Sequence, residues 1–229
     1  MKRDGNQFKK KTRRSFLGNL LHLAAGLMLL VSPVAVFIRR TYARARRLVL
    51  PKGTKMSSLV EKNPADLDTR HLEVIPLERF ETMGLTDHET DIGAWRLKIA
   101  GKVKNPLNLT YNQVIELPGV ERNVLLICPG FFTNHGKWKG FSVWELFKLA
   151  WAESGITHVS FHGPPGRYEK TESFPVAEVL SNQIFLAYQV NGQMLPRKHG
   201  FPLRVVAEDH YGSVWIKYVH KVEAHRVED

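Results

Sequence analysis

The sequence contains a single cysteine, Cys128, among 229 residues. One thiol excludes an intramolecular disulfide, and it excludes zinc and iron–sulfur sites that need several cysteines. Three further signatures are missing: the Cys-x-x-Cys-His of c-type haem, the His-Glu-x-x-His of zinc proteases and the Gly-x-Ser-x-Gly of many serine hydrolases. Residues 130–137 begin and end like a P-loop, but their spacing is wrong for one.

Excess positive charge is also missing from most of the chain, although the net charge is +11. Residues 1–47 contain twelve Lys and Arg and one acid, Asp4, whereas residues 48–229 contain 21 Lys and Arg and 21 Asp and Glu. A protein that binds nucleic acid needs basic residues to neutralise phosphates. The balanced charge of residues 48–229 therefore argues against a nucleic-acid partner.

Residues 16–38 form an uncharged stretch of 23 residues. As a helix it would be about 35 Å long, which is enough to cross a hydrocarbon core of about 30 Å. The preceding Thr-Arg-Arg-Ser-Phe-Leu, residues 12–17, resembles a twin-arginine export signal. We therefore predict a signal and membrane anchor over 1–47, with the protein at the periplasmic face of a bacterial inner membrane. A simple anchor, or cleavage near Ala43-Arg44-Ala45, remains open.

The rest of the chain predicts a linker over 48–74 and one α+β domain over 75–229, with mixed β-sheets and short helices. Capping-box patterns at Thr110 and Ser142 predict helix starts, and Asn191-Gly192 predicts a hairpin turn. Runs of apolar or alternating residues predict strands at 95–99, 123–127, 158–162, 184–190, 203–207 and 215–222.

Cys128 lies where the strand predicted at 123–127 meets a Pro-Gly turn. The following loop contains His135, Lys137 and Lys139, whose positive charge would favour a thiolate. A thiolate suits a soft or high-valent metal, or it serves as a Cys–His nucleophile. The structural alternative is a small buried hydrophobic residue.

Several segments occur in the order found in one enzyme family, and they span residues 75–224. They are Trp-Arg-Leu-Lys-Ile-Ala-Gly-Lys-Val (95–103), Leu-Ile-Cys (126–128), Leu-Ala-Tyr-Gln-Val-Asn-Gly (186–192), Leu-Pro (195–196), His-Gly-Phe-Pro-Leu-Arg (199–204), Tyr-Gly (211–212) and Trp-Ile-Lys (215–217). Together they resemble the oxidoreductase molybdopterin-binding domain of the sulfite oxidase superfamily. The most specific part is the run from Asn191 to Arg204.

The resemblance implies a molybdenum ion held by one pyranopterin and by the thiolate of Cys128. It implies pterin and phosphate contacts for His199 and Arg204, and a guanidinium suits phosphate because it binds it bidentately. With Cys128 as the catalytic thiolate, we further expect His135 and Lys137, which follow it in the chain, to place donors near a substrate oxygen. The other cofactor-binding positions that the resemblance implies are Phe80, Thr82, Gly163, Gly212, Ser213 and Lys217.

The sequence after Cys128 and the chain beyond Val222 differ from sulfite oxidases, so sulfite is not the expected substrate. In plan the chain resembles the exported catalytic subunits of periplasmic methionine-sulfoxide reductases. We expect a two-electron oxidoreductase that transfers an oxygen atom to or from a small molecule or an oxidised side chain. Its expected electron partner is a membrane haem protein or a cytochrome. Two alternatives stay open: a non-catalytic pterin-binding or scaffolding domain at the membrane, and a thiol enzyme that uses Cys128 with His135 as base.

Overall fold

The computed structural model describes residues 47–227. The predicted signal and anchor, including the apolar stretch 16–38, lies outside the described residues except for its last position. Within residues 47–227 the helices are all too short or too polar to cross a bilayer.

The described residues contain short strands and few helices, as the sequence predicts for an α+β domain. The strands are β1 (Leu48–Val49), β2 (Leu67–Asp68), β3 (Leu97–Gly101), β4 (Leu107–Leu109), β5 (Gly119–Cys128), β6 (Phe132–Phe141), β7 (His158–His162), β8 (Thr171–Pro175), β9 (Ile184–Val190), β10 (Gln193–Met194), β11 (Arg204–Ala207) and β12 (Lys221–His225). The α-helices are α1 (Tyr111–Ile115), α2 (Val143–Leu149) and α3 (Val176–Leu180). Short 3₁₀ helices lie at Met56–Leu59, Pro64–Asp66, Leu77–Arg79, Arg197–His199 and Gly212–Val214.

Most strands belong to two five-stranded sheets. In the first, the order is β10-β9-β6-β5, and β11 also pairs with β9. In the second, the order is β4-β3-β12-β7-β8, and the β3–β12 pair is parallel while its other pairs are antiparallel. The prediction of a single mixed-sheet domain is therefore confirmed.

One large hydrophobic cluster joins the two sheets. Leu97 and Ile99 of β3 alternate with exposed or half-buried neighbours, so β3 turns one face to the interior. They belong to the same cluster as Phe141 of β6, Phe161 of β7 and Leu186 of β9, all fully buried. Apolar burial of this kind is the main source of stability in a small domain, at about 25 cal/mol per Å².

The long hairpin β5–β6 has apolar side chains on both faces. Leu125 and Ile127 point away from the main core and pack with Leu50, Leu59 and other side chains of the preceding segment in a second hydrophobic cluster. The segment predicted as a linker, 48–74, is therefore folded against the hairpin and buries leucines of its own. It is part of the same compact unit as the residues that follow it.

Two local predictions need correction. Ser142 precedes α2 but makes no side-chain cap, whereas Thr110 forms the predicted capping box with Gln113. The strand predicted over 215–222 is wrong for most of its length, since β12 begins at Lys221. Tyr218 has a φ of 60°, so the chain turns there instead of continuing as a strand.

Candidate cofactor site

A cavity of about 410 Å³ opens at the end of the β5–β6 hairpin. Four segments and the start of β11 form its walls: the hairpin end, an irregular segment at 81–85 that we call the strap, the loop at 167–170, and the segment 212–218 that follows β11. The lining residues are Glu81, Thr82, Met83, Gly84, Leu85, Leu126, Cys128, Phe132, Arg167, Tyr168, Glu169, Lys170, Arg204, Gly212, Ser213, Trp215, Ile216, Lys217 and Tyr218. Six of the predicted site residues are among them: Thr82, Cys128, Arg204, Gly212, Ser213 and Lys217.

Cys128 is the last residue of β5 and is half-buried. It is paired with Phe132 across the hairpin, and directly opposed residues of an antiparallel pair place their side chains on the same face. Its Sγ donates a weak hydrogen bond to Sδ of Met83 at 3.9 Å. Burial raises the pKa of this thiol. The lysines that the sequence analysis expected to favour a thiolate do not line the cavity.

Arg204 begins β11 and is buried. Its Nη1 donates a hydrogen bond to the carbonyl of His199 at 2.9 Å. The guanidinium lies 5.9 Å from the ring centroid of Trp138 and 5.8 Å from that of Trp215. Its Nε is buried and has no hydrogen-bond partner among residues 47–227. Burial lowers the pKa of Arg204 to about 10, so the folded protein pays a desolvation cost for a charge with an unused donor.

His199 lies directly behind Arg204 rather than in the cavity wall. The side chain is buried, its ring meets the ring of Phe80 edge-on at 5.9 Å between centroids, and its Nε2 has no hydrogen-bond partner. Burial, with a further contribution from the positive charge of Arg204, lowers the pKa of His199 to about 4. The imidazole is therefore neutral near pH 7. Phe80 is likewise buried and supports the site without lining the cavity.

Lys217 joins the strap to the opposite wall. Its Nζ donates hydrogen bonds to the carbonyl of Met83 at 3.1 Å and to that of Leu85 at 2.6 Å. Burial and the nearby guanidinium of Arg204 lower the pKa of Lys217 to about 8. The strap is also held at its start, where the side chain of Asn134 bonds both backbone polar groups of Glu81.

Positive charge predominates among the lining side chains. Four are cationic, Arg167, Lys170, Arg204 and Lys217, whereas two are carboxylates, Glu81 and Glu169. A cavity with this excess attracts anions, because low-dielectric walls strengthen the attraction.

Two of the predicted glycines lie where a side chain would not fit. A Cβ on Gly163 would lie 2.7 Å from the carbonyl oxygen of Tyr168, so Gly163 supports the loop behind the cavity wall. A Cβ on Gly212 would lie 2.9 Å from Cδ2 of Leu126.

The predicted Thr82 and Ser213 each form a hydrogen bond with another segment. Thr82 donates from Oγ1 to the carbonyl of Lys198 at 3.3 Å, and the carbonyl of Ser213 accepts a hydrogen bond from Nζ of Lys170.

His135 and Lys137 are not brought to the cavity, which corrects the expectation of donors there. In the hairpin register His135 is opposite Leu125 and Lys137 is opposite Asn123, one residue out of step with Cys128 and Leu126. Their side chains therefore lie on the reverse face. His135 is buried with its Nδ1 3.0 Å from the carbonyl of Glu73, and Lys137 pairs with Glu121 at 3.1 Å.

Met83, Leu85, Arg167, Tyr168 and Lys170 are among the lining residues that the sequence did not predict. Met83 directly follows the predicted Thr82 and Leu85 lies three residues after it, so their position in the chain was the signal that could have predicted them. The other three lie on a loop whose Pro and Gly residues predict a turn but no direction for the side chains.

The residues at this site fit a molybdenum ion and a pterin that carries a phosphate. The unpartnered Nε of Arg204 and the cationic Lys217 suit an anionic group, and the carbonyl of His199 holds the guanidinium of Arg204 in place. The Cys128 thiol at the same cavity suits a soft or high-valent metal.

Comparisons with known proteins agree with this chemistry. A family model described as the oxidoreductase molybdopterin binding domain matches residues 84–229. The catalytic subunit MsrP of protein-methionine-sulfoxide reductase from Gluconobacter oxydans is 27% identical over 143 residues, which cover 56% of this chain and 46% of MsrP. An NADH nitrate reductase from Ulva prolifera is 26% identical over 211 residues, which cover 75% of this chain and 24% of that enzyme. The chain thus spans less than half the length of these relatives.

The fold is shared with a solved structure. The sulfane dehydrogenase SoxCD from Paracoccus pantotrophus superposes with a TM-score of 0.57 at 21% identity, covering 61% of this chain and 40% of that chain. The family match, the relatives and the fold lead to one conclusion. The chain belongs to the oxidoreductase molybdopterin-binding domain family of the sulfite oxidase superfamily, and it is an oxidoreductase domain whose cofactor is a molybdenum pterin.

Proposed function

We propose that this protein is a two-electron oxidoreductase that removes an oxygen atom from an oxidised sulfur compound, with methionine sulfoxide as the first substrate to test. The observation that carries the proposal is the meeting of one thiol, Cys128, with the cationic Arg204 and Lys217 in one cavity. Molybdenum bound there supplies two-electron redox chemistry and oxygen-atom transfer. The substrate class comes from the name of the MsrP relative, a protein-methionine-sulfoxide reductase.

The chain's own residues divide the remaining tasks. Cys128 would bind the metal, while Arg204 and Lys217 would bind the anionic end of the pterin. His199, neutral and buried behind Arg204, would position the guanidinium through its backbone carbonyl. Phe132, Trp215 and other apolar side chains limit water around the reacting atoms, which strengthens electrostatic interactions there.

We further propose export by the twin-arginine route and association with the membrane through residues 16–38. Within 47–227 the cavity has one thiol and no second redox motif, so electrons would come from a partner. A membrane haem protein or a cytochrome fits this need, since a tether raises the effective concentration of a partner in the same membrane.

The thiol-enzyme alternative lacks structural support. Its proposed base, His135, is on the reverse face of the hairpin, and burial raises the pKa of Cys128 instead of favouring a thiolate. The scaffolding alternative predicts a bound pterin without turnover, and it is therefore an outcome of the test.

The experiment uses the full chain purified from the membrane fraction. Molybdenum and pterin are measured per chain, and oxidation of reduced viologen is followed with methionine sulfoxide, nitrate or no acceptor. We expect one molybdenum and one pterin per chain and turnover with methionine sulfoxide. Growth with tungstate should abolish turnover.

The Cys128→Ser variant, growth with tungstate and alkylation together separate the three hypotheses. It should keep the pterin and lose turnover if the thiolate is a metal ligand. Turnover that is indifferent to tungstate and stopped by alkylation would support a thiol enzyme instead. Bound molybdenum and pterin with no turnover on any sulfoxide, nitrate or reduced sulfur compound would favour the scaffolding alternative.

A further inference from the structure

Met83 places a thioether beside the metal-binding thiol. Its Sδ lies 3.9 Å from Sγ of Cys128, and its side chain lines the cavity while remaining 46% exposed. Nζ of Lys217 donates to the carbonyls of Met83 and Leu85, so side-chain hydrogen bonds hold the backbone of the strap at Met83. Oxidants that enter the cavity therefore meet this sulfur.

Methionine oxidation depends on access to solvent and produces a polar sulfoxide. Among residues 47–227 there are three methionines, Met56, Met83 and Met194. Met56 is half-buried, whereas Met194 on β10 is 61% exposed and does not line the cavity. Met194 is therefore a matched control: more accessible than Met83, but remote from Cys128.

We propose that Met83 is an oxidation site whose sulfoxide is reduced by the centre of its own chain. The proposal rests on the proposed sulfoxide reduction. A peroxide oxidises the thioether, giving the sulfoxide and water. The sulfoxide then takes two electrons from the reductant and two protons from solvent, and it returns to the thioether with release of one water.

The surroundings of Met83 suit both oxidation states. Leu85 and Phe132 line the same cavity and give it an apolar surface that suits the thioether. Lys170 and Lys217 line the same cavity and offer N–H donors to a sulfoxide oxygen. Oxidation would draw Lys217 from the strap carbonyls, so reduction of Met83 also restores the strap.

The test starts with loaded enzyme treated with hydrogen peroxide and then freed of it. Reduced viologen is added at several protein dilutions, and the sulfoxide at Met83 and at Met194 is followed by peptide mass spectrometry. We expect Met83 to be restored at a rate independent of protein concentration, because the reaction is intramolecular. Restoration of Met194 should be absent or slow in proportion to dilution.

In metal-free protein, formation of the sulfoxide at Met83 can be measured without any catalytic turnover. Peroxide should mark Met83 there too, and reduced viologen should leave the sulfoxide in place. If Met83 resists peroxide while Met194 is oxidised, the proposal that Met83 is an oxidation site is contradicted. The Met194→Leu variant should behave as the wild type at Met83.

A parallel assay with free methionine sulfoxide distinguishes failure of the Met83 proposal from failure of the proposed function. Turnover of the free compound with a persistent Met83 sulfoxide would overturn this inference and leave the proposed function intact. Failure of both would overturn both. Equal, dilution-dependent restoration of Met83 and Met194 would show reduction between molecules, which also contradicts the inference.

Discussion

Arg204 and Lys217 hold two positive charges against the same cavity, and the guanidinium of Arg204 makes the charge on Lys217 harder to keep. Burial lowers the pKa of both side chains, and the guanidinium contributes further to the low pKa of Lys217. Neither group has a carboxylate partner among its hydrogen bonds, since Arg204 bonds the carbonyl of His199 and Lys217 bonds strap carbonyls. An anion between them would relieve this cost.

Anion binding should therefore weaken as the pH rises through about 8. Lys217 has a pKa near 8 in the metal-free protein, and an anion binds its protonated form. By linkage, the affinity for sulfate should fall about tenfold between pH 7 and pH 9. Calorimetric titration of metal-free protein with sulfate checks this. In Lys217→Gln the affinity should be lower at pH 7 and flat with pH, and a retained slope would contradict the assignment.

His199 should make the metal-free protein sensitive to acid. Its pKa is about 4 in the folded protein against an ordinary value of 6.5, so the unfolded state binds more protons between these values. The free energy of unfolding should consequently fall as the pH drops from 6.5 to 4, by on the order of 2 kcal/mol. Urea unfolding of wild type and His199→Gln measures the difference in slope. Identical slopes would mean that His199 does not titrate this way.

Substitution of Lys137 and of Lys217 should have opposite outcomes, because the hairpin register puts Lys137 on the reverse face whereas Lys217 lines the cavity. Lys137→Gln, on the reverse face, should leave molybdenum content and turnover within twofold of wild type. Lys217→Gln, in the cavity wall, should lose at least tenfold in pterin retention, because a charged hydrogen bond contributes about 1.5–3 kcal/mol. Metal and pterin analysis of the two purified variants compares them directly. A large loss in Lys137→Gln would contradict the face assignment.

Gly163 should tolerate a methyl group poorly. In Gly163→Ala the new Cβ would overlap the carbonyl oxygen of Tyr168, and backbone must move to make room. We expect a loss of about 2 kcal/mol in the free energy of unfolding, as for an overpacked core. Gly119→Ala is the control, because its Cβ would meet the carbonyl oxygen of Gly140 at an ordinary 3.8 Å. Equal losses in urea unfolding would show that the Tyr168 contact is not the cause.

Local sequence signals predicted much of the fold. The strands at 158–162 and 184–190 have the predicted bounds, and Asn191 and Gly192 both adopt positive φ in the predicted turn. The strand predicted over 215–222 was wrong because Trp215 and Tyr218 are buried where they line the cavity, not by pairing with a neighbouring strand. Alternation alone does not distinguish these causes of burial.

The candidate site was predicted in part. The resemblance identified Cys128, Arg204 and Lys217, which the structure brings to one cavity. The expectation for His135 and Lys137 came from their position after Cys128 and was wrong, because proximity along the chain does not tell which face a side chain takes until the register is known. Met83 and Tyr168 could not be predicted for a different reason, since they reach the cavity from irregular segments. The path of these segments depends on residues distant in sequence, such as Lys217 for Met83 and Asp87 for Tyr168.

The β5–β6 hairpin is a shared wall, with the thiol on one side and Leu125 and Ile127 on the other. A shorter chain that began at residue 84, where the family match begins, would lose Leu50, Leu59, Leu67 and Leu72. Two buried strands would then face water on their back. Trimming the molecule to the limits of its recognised family would thus loosen the pair of strands that carries Cys128, the proposed metal ligand.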